Sequence, residues 1–116
     1  MNCAAKLPKG RERDRYAVTG KADDGRELVR AEFQRTRAGV VHCVATVHTP
    51  RGTLKGGASV NRTLAGRTGW SRPALALSLA LCRAGVQGIA LSAAPGGQAV
   101  RDMAQEAAEA VAVEWG

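Results

Sequence analysis

The sequence predicts an α+β fold: an antiparallel meander of three to four strands, then a buried helix, a short strand and a C-terminal amphipathic helix packed on one sheet face. Three observations predict it. Between positions 16 and 60 apolar and polar residues alternate, most clearly where Val41, Cys43, Ala45 and Val47 interleave with His42, Thr46 and His48. Turn chemistry punctuates that stretch at Asp23-Asp24-Gly25, Arg37-Ala38-Gly39 and Pro50-Arg51-Gly52. Beyond Ser71 the apolar spacing changes to that of helices.

Residues 1–14 combine Pro8 and Gly10 with an alternating Arg11, Glu12, Arg13, Asp14 run and little to bury, so they read as a flexible basic arm or an edge segment. Residues 15–116 then form a single α+β domain, a size that one hydrophobic core can serve. Tyr16 to Lys21 is the first strand and Glu27 to Thr36 the second. The third runs from Val40 to Thr49.

The faces fix the register of the second and third strands. A two-residue turn at Ala38-Gly39 would place Val29, Ala31 and Phe33 on the histidine face, in conflict with burial. A three-residue loop, Arg37-Ala38-Gly39, instead pairs Phe33 with Cys43, Ala31 with Ala45 and Val29 with Val47, and puts Gly39 where a positive φ is needed. Arg30, Glu32, Gln34 and Thr36 then share an open polar face with His42, Val44, Thr46 and His48. In the fourth strand, Thr53 to Val60, Gly56 and Gly57 suggest a bulge or a close backbone approach.

Asn61 to Arg72 has no period, two glycines and three arginines, and reads as a loop on the basic side. Ser71 caps the following helix, with Pro73 in its first turn and Gly85 at its end. That helix is apolar nearly all round and belongs in the core. Val86 to Ser92 reads as a short strand, and a last helix from about Gly97 to Glu114 sets Val100, Met103, Ala107, Val111 and Trp115 opposite Asp102, Gln105, Glu106 and Glu109.

Charge is the strongest functional signal. Seventeen Lys and Arg face ten Asp and Glu, a net +7, and thirteen of the bases are Arg. Residues 1–72 carry a net +9 and residues 73–116 a net −2. Such a surface favours nucleic acid or another polyanion, because neutralised phosphates release counterions. Arginine content also follows genome composition: Ala occurs 22 times against four Lys and a single Ile, as in GC-rich coding sequence.

Other classes find little support. The three cysteines are spaced about forty residues apart, which suits neither a disulfide framework nor a zinc site. His42 and His48 lie about 20 Å apart along one strand and cannot share an ion. No Walker motif, nucleophile motif or paired catalytic carboxylates can be read, so we expect no enzyme, no cofactor and no metal. With no apolar run of membrane-spanning length and no secretory signal, the expected location is cytoplasmic.

The order of strands, Gly-rich turn and helix resembles the second half of a double-stranded-RNA-binding domain. This chain has Ser71, Arg72 and Pro73 where that family opens its last helix with adjacent lysines, and it lacks the leading helix. No residue roles are therefore carried over.

The sequence thus points to a small basic protein that contacts phosphates of DNA or RNA through Arg30, Arg35, Arg37, Arg51, Arg62, Arg67 and Arg72, with Trp70 able to stack on a base or to cap the core. The alternative is a phage or mobile-element protein, of anti-CRISPR or other anti-defence type, that inhibits a host protein or nucleoprotein complex. A homodimer through a sheet edge or the Ala-rich last helix is compatible with both.

Overall fold

The computed structural model describes residues 2–6, 14–50, 52–85 and 97–115. Five strands, β1 (Asn2–Lys6), β2 (Arg15–Lys21), β3 (Glu27–Arg35), β4 (Val41–Thr49) and β5 (Gly52–Val60), form one antiparallel sheet in sequence order. Three helices follow, α1 (Arg62–Thr68), α2 (Arg72–Arg83) and α3 (Gly97–Trp115). The α+β meander is the one expected. The first residues correct the reading of an arm, since Asn2–Lys6 pairs with β2 from Asn2↔Lys21 to Lys6↔Ala17. An edge strand there satisfies backbone groups that β2 would otherwise leave open. Residues 7–13 and the short strand expected at Val86 to Ser92 lie outside the described residues.

Register follows the burial pattern. Phe33 faces Cys43, Ala31 faces Ala45 and Val29 faces Val47. The connecting turn closes through Gly39 N–H to Thr36 O and Thr36 N–H to Val40 O, with Gly39 at φ +82°. β5 pairs with β4 continuously from Val60 to Gly52, without the suggested bulge. Gly56 instead meets the second expectation, a close backbone approach: a Cβ there would lie 2.5 Å from Ala84 N and 2.9 Å from Arg83 C, at the C-terminal cap of α2.

One sheet face is the core. Tyr16, Val18, Val29, Phe33, Val41, Val47 and Val60 are buried on it beneath Leu77, Ala80 and Leu81 of α2 and Ala104, Ala108 and Val111 of α3. Helix α2 covers β4 and β5 and packs against α3, which covers β1, β2 and β3. Each fully buried Val or Leu side chain contributes about 1.5–3 kcal/mol. The other face has no helix on it among the described elements.

Residues 62–68 correct the loop reading. The Asn61 side chain accepts a hydrogen bond from Leu64 N–H at 2.8 Å, Ala65 is buried, and Gly69 at φ +74° ends the helix. Two turns are too short to display an amphipathic period, so only the caps could have announced α1. Helix α2 starts as expected on Ser71, which accepts from Ala74 N–H at 3.3 Å.

Cys43 is buried at the centre of β4, and burial, followed by the charge of Glu32, pushes its thiol far up from the ordinary range. Reagents that attack thiolates are expected to spare Cys43 in the folded protein, even at pH about 9, and to modify half-buried Cys82 first. Mass spectrometry after iodoacetamide treatment, in a Cys3→Ser background, checks this. Equal labelling of the two thiols would contradict the packing.

Candidate nucleic-acid interface

A meander sends alternate connections to opposite ends of the sheet. The β3–β4 turn, the start of β2 and the β5–α1 junction share one end; the β2–β3 and β4–β5 turns share the other. Arg15, Arg35, Arg37, Arg62 and Arg72 therefore come toward the first end, together with Asp14. Asp23, Asp24 and Glu27 lie toward the opposite end with Lys21 and Arg26.

Within this polarity the arginines differ sharply in what they are free to do. Arg72 is only 7% exposed. Its guanidinium donates to Gly39 O at 2.5 Å and to Trp115 O at 2.7 Å, tying the β3–β4 turn to the last residues of α3. Burial, then the nearby charges of Arg62 and Arg35, lowers its pKa from the ordinary arginine value. This corrects its expected role as a phosphate contact, because its forks are spent on carbonyls inside the protein.

Arg35 is also committed. Its Nε and Nη2 donate to Asp14 Oδ1 at 3.1 and 2.8 Å, and the guanidinium carbon lies 5.2 Å from the centre of the Trp115 ring. Arg30 stands on the open face, 3.4 Å from Glu32 and 3.8 Å from Glu27, so the middle of that face is close to charge-balanced. Surface pairs of this kind contribute about 1 kcal/mol or less, yet they offset the charge a phosphate would meet.

Arg37, Arg62 and Arg67 remain exposed, and their side chains make no hydrogen bond or ion pair to a described residue. Arg51 lies outside the described residues. Arg62 Nε and Arg72 Nη1 approach one point above Gly39, where a Cβ would meet them at 3.1 and 3.2 Å. Arg15 was not singled out by the sequence reading but belongs with them: it pairs across the sheet with Gln34, which pairs with His42, which pairs with Ser59. The alternation of Arg15 against buried Tyr16 and Val18 was the signal for its outward face. None of three comparisons, with protein-family models, curated proteins and solved structures, finds a significant match.

The two histidines are occupied on the open face. His42 Nδ1 contacts Ser59 Oγ, and His48 bridges Glu27 Oε2 at 2.8 Å and Thr53 Oγ1 at 3.3 Å. These contacts are solvent-exposed.

Trp70 does not cap the core. It is 47% exposed and lines a groove of about 590 Å³ with Ser71, Ala74, Gln105, Glu109 and the 86% exposed Val113. This groove lies between the start of α2 and the outer side of α3, with Glu109 in its wall.

Proposed function

We propose that this is a small basic, non-enzymatic nucleic-acid-binding protein whose phosphate contacts are Arg15, Arg37, Arg62 and Arg67. The observation that carries the reading is the basic end of the sheet, where exposed arginines without a partner among the described residues stand around a turn held by Arg72. Guanidinium forks match phosphate oxygens bidentately, and Gln34, His42 and Ser59 beside them supply polar groups for sugar or phosphate. Contacts of this type position a strand without reading bases, so sequence preference is weak.

Salt titration tests the proposal. With about four phosphates neutralised, affinity for random duplex or single strand should fall roughly a hundredfold between about 50 and 200 mM salt. Arg37→Glu with Arg62→Glu should remove most of the affinity and flatten the slope, whereas Arg30→Glu should change it little. No binding at the lowest salt would sink the proposal.

A second reading, a phage or mobile-element inhibitor that binds a host protein or nucleoprotein complex, rests on the Trp70 groove. An exposed Trp beside an exposed Val is the kind of anchor that protein interfaces use. Trp70→Ala would abolish capture of such a partner while leaving the salt-dependent affinity for nucleic acid intact.

A further inference from the structure

Two guanidiniums brought to one point repel, and the molecule does so at Gly39. The bare Cα at φ +82° lets both come close: a Cβ there would sit tightly against Arg62 Nε and Arg72 Nη1, at 3.1 and 3.2 Å. Arg72 cannot withdraw, because two carbonyls hold it. Asp14 cannot neutralise the pair through the bonds it makes, since its Oδ1 accepts both hydrogen bonds from Arg35. Arg62 is left with its donors unused among the described residues, beside a fixed positive charge and over Gly39, which lies two residues along the turn from exposed Arg37.

We infer that the β3–β4 turn is a preformed seat for one phosphate oxyanion, gripped by Arg62 and Arg37 and drawn in by the buried charge of Arg72 behind them. As a biological site it rests on the nucleic-acid reading, with the seat taking a single backbone or terminal phosphate. Its chemistry does not depend on that reading, because an oxyanion between two arginines is recognised through charge-assisted, bidentate hydrogen bonds whatever carries it. Arg72 serves here as a positioning residue. It holds the turn and supplies field while its own forks stay on Gly39 and Trp115.

Inorganic phosphate is the direct probe. In NMR spectra of the arginine Nε–Hε groups, phosphate added to the wild-type protein should shift Arg62 saturably, with Arg26 at the far end of the sheet as the internal control. Chloride at equal ionic strength should not reproduce the shift. Arg62→Gln, at an exposed position, should weaken phosphate binding by about tenfold or more, given the worth of hydrogen bonds to charged groups. An Arg62 response no larger than that of Arg26, or one matched by chloride, overturns the seat.

A second arm replaces phosphate with a short single-stranded oligonucleotide. Salt-dependent oligonucleotide binding that leaves Arg62 unshifted overturns the seat and keeps the nucleic-acid function. Phosphate seating without oligonucleotide binding at about 50 mM salt supports the seat and removes the nucleic acid as its ligand.

Discussion

A single methyl group at position 56 is expected to destabilise the protein by more than about 3 kcal/mol, the upper range for overpacking, because backbone rather than side chain stands in its way. In Gly56→Ala the new Cβ would sit 2.5 Å from Ala84 N and closer still to Ala80 O. Neither atom can rotate aside; α2 would have to lift off β5, loosening Leu77 and Leu81 over the sheet. Gly56 pairs with Ala45 on β4, so two small residues form the floor on which Ala80 and Ala84 of the helix rest. The neighbouring position supplies the control. A Cβ at Gly57 faces the open side at 3.6 Å from Cys43 O, an ordinary contact, and Gly57→Ala should be neutral or slightly stabilising, since glycine is a weak strand former. Urea unfolding midpoints of the two variants measure the difference. Equal midpoints would mean that α2 does not ride as close to β5 as described.

Arg72→Met should cost about 2–4 kcal/mol, because two buried carbonyls lose their donor at roughly 1–3 kcal/mol each. Methionine fills much of the volume but leaves Gly39 O and Trp115 O without their donor. Arg72→Lys should recover only part of the loss, because one ammonium cannot reproduce the fork that spans the β3–β4 turn and the end of α3. Trp115 reports the outcome. Its ring packs edge-on against Tyr16 at 4.7 Å and Phe33 at 6.5 Å, so in a Trp70→Phe background its emission should move toward that of a solvated indole when Arg72 is replaced. A variant that keeps both midpoint and emission would contradict the clamp.

The contrast between Arg72 and Arg62 shows where sequence reasoning ran out. Both look alike in the string, each a basic residue beside a helix cap, but burial is a property of the assembled fold. Arg72 goes under the β3–β4 turn because Ser71 and Pro73 start α2 there; Arg62 stays outside because Asn61 starts α1. Arg30 could have been read better, since Glu32 shares its face by alternation and Glu27 is three residues away. Register was legible because burial and turn chemistry agreed on Gly39, and the paired glycines of β5 were legible as a bulge or a close approach, of which the structure has the second. Helix α1 was not, since two turns carry no period. Asn2–Lys6 could be read only as an arm or an edge segment, because a small-residue edge strand has little hydrophobic signal and gains its order from pairing with β2.

Trp115 closes the core from the far side of the chain, against residues made about a hundred positions earlier. At ribosomal rates of about 5–20 residues per second, the inner faces of β2 and β3 wait roughly five to twenty seconds for that cover. The N-terminal strands can pair during synthesis, but Tyr16 and Phe33 stay uncovered until α3 has emerged. Completion of the core therefore waits on α3, and until it emerges the inner face of the nascent sheet presents its aromatic side chains to solvent.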